Sequence, residues 1–293
     1  MTTTIDFPET GFVDEYEFYM KERPSVTLAI ERDVVDPLLI RNSEQDRAET
    51  QVIADATRAQ SNPEKFTTKE RLSGLNLLRR LDNDGDLISE DYAYNEPPAL
   101  SEAINLDTLT YGMTGTGDQD YGVKSRLVAG YTYTVEEYDV MQAETRNAAF
   151  ESGTMTNDDG DHLEAGTPAM LAYVLHNVLT THGYGARETR SGKTVDNDVR
   201  AVILAEQPAL LSVGEFLAEE DPDVESFDDA LDRYIQSRMR EDWTVYTASD
   251  GFPTWFDDLL SVASREAPDA SGTLRKLFVE DTAAAKEGIP KAE

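Results

Sequence analysis

The sequence predicts an α+β fold, an antiparallel sheet with helices on one face, carrying large insertions and an acidic, mostly helical C-terminal region. Three observations predict it. Short β-rich runs occur at Ser25–Glu31, Arg126–Val135 and Val199–Ala205, spaced too widely for simple hairpins. An amphipathic helix pattern lies between the second and third runs. The resulting order of strand, long insertion, strand, helix, loop, strand suits helices layered on one side of a sheet. An RRM/ferredoxin-like core is one such layout, and periodicity alone leaves other α+β folds open.

The first run follows Pro24, and the polar stretch Arg41 to Pro63 reads as irregular or partly helical. Thr67-Thr-Lys-Glu70 has the form of a capping box and predicts a helix through about Leu81. Leu72, Leu75 and Leu78 to Leu81 fit one face of that helix. Asp82 to Pro98 reads as loop, and Asn105 to Tyr121 is rich in Gly and Thr. In the second run Tyr131 and Tyr133 fall on one face. Thr167-Pro168 combines an N-cap residue with proline at the first helical position. Leu171, Val174, Leu175, Val178 and Leu179 follow at helical spacing, and Gly183 is placed to end the helix. The expected organisation is a core over 1–211, interrupted at about 41–122 and 146–166, then the helical region 212–293.

Composition limits the function. The chain of 293 residues has 58 Asp+Glu against 26 Lys+Arg, a formal net charge of -32. Such a charge argues against ordinary nucleic-acid binding, because it repels phosphate. The acid is spread along the chain rather than gathered in a tail, and only 8 of the 26 cations are lysine. Spread acid, scarce lysine and abundant Asp, Thr and Ala resemble proteins of extreme halophiles. In molar salt the Debye length is only about 3 Å, so the self-repulsion is largely screened. There is no cysteine, which excludes disulfides and thiolate zinc sites. Apolar runs fall short of the ~20 residues of a membrane span. The polar, acidic stretch Met1 to Glu15 is unlike a secretory signal peptide. The expected location is the cytoplasm, with no membrane partner.

Against this background three basic islands stand out. The first, Lys65 to Arg80, carries Lys65, Lys69, Arg71, Arg79 and Arg80. The second is Lys124-Ser125-Arg126, just after the glycine-rich stretch. The third, Gly183 to Lys193, places Arg187, Arg190 and Lys193 after two early glycines, Gly183 and Gly185. Glycine lets backbone approach a ligand closely. The cations suit phosphate, and Tyr184 could stack on a base. A solvated loop whose cations complement a helix dipole is the alternative.

Read in order, these islands and their surroundings resemble the Cas-seven-type (Csc-two) backbone subunits of type I-D CRISPR Cascade complexes. The matching stretches are Lys69-Glu-Arg-Leu-Ser-Gly-Leu-Asn-Leu-Leu-Arg79, Leu109-Thr-Tyr-Gly112, Val123-Lys-Ser-Arg126, Asn147-Ala-Ala-Phe-Glu-Ser-Gly-Thr-Met155 and the run Tyr173 to Arg190. They span roughly 25–210, and the C-terminal third resembles the family least. The resemblance implies an RRM-like core that binds guide crRNA through its backbone. Several copies would line one guide beside other Cascade subunits, and the paired partner is target DNA or RNA. Carried over by motif, Lys124, Arg126, Arg187, Arg190 and Lys193 would contact guide phosphates. Phe150 and Met155 would lie in a loop that wedges between bases, or pack beneath it. Relatives often carry cysteines ahead of the Leu109 stretch, apparently for zinc. Here Asn105-Leu-Asp-Thr108 stands there, so no zinc and no other cofactor is expected.

The resemblance implies a non-catalytic RNA-binding subunit. Two other readings stay open. Asp33 or Asp36, after the first strand, could hold a divalent metal for RNA cleavage, as an Asp does in a comparable loop of RNA-cleaving relatives. Or the chain could be an acidic protein-interaction scaffold without RNA. Asp82-Asn-Asp-Gly-Asp86 has calcium-loop features, but with Gly85 at position six Arg80 falls at position one, so an acidic turn is expected. His162, His176 and His182 lack metal or general-base spacing.

Overall fold

The computed structural model describes residues 4–13, 23–35, 49–93, 99–115, 121–138, 154–157, 161–164, 166–184, 193–220, 222, 226–264 and 272–288. For 154–157 and 161–164 the backbone alone is described. The strands are β1 Ser25–Val34, β2 Glu49–Ile53, β3 Ala56–Ser61, β4 Met113–Thr114, β5 Gly122–Val123, β6 Leu127–Ala129, β7 Thr132–Thr134, β8 Thr154–Asn157, β9 Asp161–Glu164, β10 Val195–Ala205 and β11 Trp243–Thr247. The helices are α1 Glu64–Leu81, α2 Leu100–Ala103, α3 Leu106–Tyr111, α4 Pro168–Thr180, α5 Val213–Glu219, α6 Phe227–Ser237, α7 Thr254–Ala263 and α8 Thr273–Gly288.

The expected α+β architecture is present, with every pairing antiparallel. The main sheet runs β11-β10-β1-β8-β7-β3-β2, with β9 also beside β1 and β6 beside β9. Its spine is β1 against β10, paired from Ser25↔Ala205 to Val34↔Val195. Ala29 faces Ala201 and Ile30 faces Val199, so Arg200 is the extra residue of a bulge. The bulge leaves Arg200 beside Glu31, with which it forms an ion pair, and near Asp228 at 3.8 Å.

Both faces of the sheet are covered, where the sequence predicts one. Val26, Leu28, Ile30, Val199, Val202 and Leu204 face α1, α4, α7 and α8 through Leu75, Leu78, Val174, Leu259 and Phe278. Ala201, Ile203 and Ala205 face the other way, onto Phe216, Leu231 and Ile235 of α5 and α6. This is the alternation of a strand buried on both sides. Residues 212–293 are mostly helical as expected, yet they share both cores and add β11 to the sheet edge.

Several local expectations change. Residues 41–63 contain the β2–β3 hairpin, turned at Ala54 and Asp55, both at positive φ (49 and 68). That is the hairpin geometry usually signalled by Asn-Gly or Asp-Gly, so the Ala-Asp pair hides it. Helix α1 starts at Glu64, not at Thr67: the Asn62 side chain accepts the Glu64 N–H at 3.0 Å. Glu70 cannot close a capping box because it points into the core. The run 126–135 divides into β6, paired with β9, and β7, paired with β3 and β8. Thr167 caps α4 as expected, accepting from Met170 N. The helix stops at Thr180, before Gly183, because the Asn197 amide donates to the carbonyls of Val178 (2.7 Å) and Thr181 (3.0 Å). Among the described residues no helix is long and apolar enough to cross a membrane.

Candidate nucleic-acid interface

Helix α1 carries the first basic island on its exposed side. At 3.6 residues per turn Lys65, Lys69, Leu72, Asn76, Arg79 and Arg80 fall on one side, and all six are exposed. Phe66, Glu70, Gly74, Leu77 and Leu81 fall on the other and are buried. At Gly74 the helix meets α4 so closely that a Cβ would stand 2.4 Å from the Tyr173 hydroxyl.

The start of the third island, at Tyr184, docks on one flank of α1. Tyr184, expected to stack on a base, is 1% exposed and packs on Phe66 at 5.0 Å between centroids. Its hydroxyl donates to Glu70 (2.7 Å) and accepts from Arg32 (3.3 Å) and the Asn197 amide (3.1 Å). Burial, with Glu70 beside it, raises the Tyr184 phenol well above its usual pKa. Arg32 is fully buried. It pairs with Glu70 at 3.0 Å, donates to Asn197 at 2.8 Å and lies 4.7 Å over the Phe66 ring. A buried pair of this kind is tolerable because hydrogen bonds and a ring face replace lost water. Tyr184 is therefore an anchor that fixes where the glycine loop leaves the core. Gly185, Arg187 and Arg190 lie outside the described residues. Lys193, after the loop, is ion-paired with Asp196.

The second island lies against α3, which meets the opposite flank of α1 through Arg71 and Asp107. Arg71 turns inward to hold Asp107 with two nitrogens, at 2.7 and 3.0 Å to Oδ2, and donates to the Gly112 carbonyl at 3.2 Å. Tyr92 donates to the same carboxylate at 2.7 Å. Burial lowers the Arg71 guanidinium, but Asp107 outweighs it and the net shift is upward. Arg71 is thus a clamp between α1 and α3 rather than a phosphate ligand, a correction made by Asp107. Gly112 ends α3 at φ 77, and a Cβ there would lie 2.7 Å from Ser125 N. Ser125 is tied to the carbonyls of Thr110 (3.1 Å) and Leu127 (2.8 Å), so it shapes the turn. Arg126 donates to the Leu109 carbonyl at 3.3 Å, while Lys124 is exposed beside it.

Between α1 and the end of α4 lies an open cleft of about 540 Å³, lined by Ser73, Asn76, Arg79, Arg80 and Thr180. Arg79 and Arg80 come from the first island. Ser73, Asn76 and Thr180 are additions, and only the helical spacing of Ser73 and Asn76 to the arginines hinted at them. Behind the cleft His176 is buried, bonded through Nδ1 to the Ala263 carbonyl at 2.8 Å. Burial, aided by the Arg80 charge, lowers its pKa to about 4. It is a packing residue.

Phe150 lies outside the described residues. Met155 is on β8 opposite Arg32 and Thr134. Asp33 is exposed near the end of β1 and Asp36 lies outside the described residues. The Asp82 turn is closed internally, as an acidic turn should be. Asp82 accepts N–H groups of Gly85, Leu87 and Ile88, and Asp86 pairs with Arg275. Those N–H bonds outweigh burial and lower the Asp82 pKa. Among the described residues there is no group of three His, Asp or Glu placed to hold a metal.

The fold is that of an antiparallel α+β protein in which Lys65, Lys69, Arg79 and Arg80 share the exposed side of one helix. A family model described as Csc2 Crispr matches residues 159–270, less than half of the chain. The match reaches well into the C-terminal third, the part whose sequence resembled that family least by motif. The crystal structure of Thermofilum pendens Csc2 is similar at 14% identity, covering 91% of each chain with a TM-score of 0.51, which is a likeness of fold. Methanopyrus kandleri Csm3 aligns at 12% identity over 84% of this chain and 98% of that one, with a TM-score of 0.48. A chain of a CRISPR RNA-guided surveillance complex, pre-nicking, aligns at 10% identity over 89% and 99%, with a TM-score of 0.46. No curated protein matches the chain.

Proposed function

We propose that this chain is a non-catalytic, RNA-binding backbone subunit of a CRISPR surveillance complex of type I-D, working in the cytoplasm of a salt-adapted cell. The observation that carries the reading is the exposed basic side of α1, with Lys65, Lys69, Arg79 and Arg80, in a chain of net charge -32. The family match over 159–270 and the fold shared with Thermofilum pendens Csc2 support it. In this reading Lys69, Arg79, Arg80, Lys124 and Arg126 hold the guide's phosphates, with Arg187, Arg190 and Lys193 from the glycine loop. Phe150 and Met155 approach the bases. Other copies of the chain and other subunits share the same guide, and target DNA or RNA pairs with it.

The salt-adapted setting shapes the mechanism. Counterion release yields far less affinity in molar salt than in dilute buffer. Retention then rests on directed guanidinium hydrogen bonds and on many copies sharing one RNA. A single copy holds RNA weakly, and the assembly holds it firmly. The test is isolation of the assembly from its host in molar KCl, followed by extraction of nucleic acid. RNA of uniform repeat-spacer length is expected, and an assembly free of RNA would overturn the reading.

A further inference from the structure

We infer that the cleft between α1 and the end of α4 recognises a ribose 2′-hydroxyl together with its neighbouring phosphate, and so selects RNA over DNA. The inference rests on the RNA-binding reading and adds a specificity-determining subsite to it.

The lining decides the chemistry. Among the described residues five line the cleft, and none of these five is a carboxylate, although the chain has 58 Asp+Glu. Arg79 and Arg80 supply N–H donors, and a guanidinium carries five of them. Arg79 gives one to the Tyr92 carbonyl at 3.3 Å, which orients its planar head. Such donors suit a phosphate, which only accepts.

The hydroxyl pair has the opposite bias. Thr180 donates its single proton to the His176 carbonyl at 2.7 Å. Ser73 and Thr180 stand 3.3 Å apart, so with the Thr180 proton already placed, Ser73 is the donor in that pair. Both protons are then spent inside the protein. What Ser73 Oγ can still offer is lone pairs, and an acceptor needs a ligand donor. A phosphodiester has none. A ribose 2′-hydroxyl has one, and it is the group by which a protein tells RNA from DNA. Asn76, one turn on from Ser73 and exposed, can serve the hydroxyl or the base edge with either end of its amide.

The test uses the full chain in molar KCl and three oligonucleotides of one sequence, long enough to seat several copies: RNA, DNA and 2′-O-methyl RNA. The methyl ether keeps the ribose oxygen but removes its proton. Competition binding of the wild-type chain should favour RNA over both competitors by about tenfold, the factor that about 1.4 kcal/mol corresponds to. Ser73→Ala should erase most of that preference while binding DNA as the wild type does. Arg79→Ala should weaken all three ligands alike. An equal preference in wild type and Ser73→Ala overturns the inference and leaves the RNA-binding reading standing. A wild-type chain that binds none of the three, even at high protein concentration, overturns both.

Discussion

Helices α1 and α6 lie on opposite faces of one sheet and both carry arginines toward solvent, but the arginines meet different surroundings. At α6 Arg233 is held by Glu220 at 2.8 Å. Arg238, at the helix end, is held by Glu219 at 2.8 Å and Glu215 at 3.1 Å and lies 3.9 Å over the Tyr234 ring. At α1 Arg79 reaches a carbonyl, and among the described residues the cleft it shares with Arg80 is lined by Ser73, Asn76 and Thr180 besides the two arginines. In an acid-rich chain a cation is informative through its neighbours. The α6 arginines are matched to named carboxylates, whereas the described cleft lining at α1 sets two arginines beside hydroxyls and an amide.

The comparison depends first on α1 being held in place, and that is where the largest effect is expected. Glu70→Ala leaves Arg32 charged in the core without its carboxylate. It should cost about 3–5 kcal/mol, the range for breaking one side of a buried pair. Thermal unfolding in molar KCl measures it. The anchor of the glycine loop goes with it, so RNA retention should fall even where the fold survives.

The next effect is pH dependence at His176, behind the cleft. Its folded pKa of about 4 lies below the ordinary 6.5, so the native state favours neutral imidazole. The unfolded chain takes up a proton below pH 6.5 and the folded chain does not. This contribution, of order 3 kcal/mol, is fully present above pH 6.5 and lost as pH falls toward 4. The thermal midpoint should drop between pH 6.5 and 5, before most carboxylates protonate, and His176→Gln should flatten that drop.

Gly74→Ala should cost about 1–3 kcal/mol by overpacking against Tyr173 and Asn177, widening the gap between α1 and α4. On the other helix, Arg233→Ala with Arg238→Ala should shift the thermal midpoint only slightly, because exposed pairs contribute little. Asp33→Ala should leave RNA retention unchanged, since an exposed carboxylate has no donor to give a phosphate.

Much of the fold was legible in the sequence because it depends on local patterns. Thr167-Pro168 announced α4, and the apolar runs announced β1 and β10. What stayed hidden depends on distant partners. Glu70 reads as a capping residue until Arg32, from β1, is placed beside it. Tyr184 reads as a stacking residue until Phe66 and Asn197 enclose it. Arg71 reads as a phosphate ligand until Asp107 takes its guanidinium. The β2–β3 hairpin escaped notice because an Ala-Asp turn between polar strands carries almost no signal. For the proposed site, Lys69, Arg79, Arg80 and Lys124 stand out in the sequence as basic islands on an acidic chain, and all four are exposed. The cleft was not, since it joins Ser73 to Thr180 across two helices.

The most direct test removes charge from both helices in parallel. Assemblies carrying Lys69→Ala, Arg79→Ala and Arg80→Ala are compared with assemblies carrying Arg233→Ala and Arg238→Ala. The measurement is the amount of RNA co-purifying with each in molar KCl. The α1 variant should lose at least about tenfold, the factor for about 1.4 kcal/mol, with its thermal midpoint close to wild type, while the α6 variant keeps its RNA. Equal retention by the two variants, or a greater loss from α6, would contradict the assignment of the α1 surface to RNA.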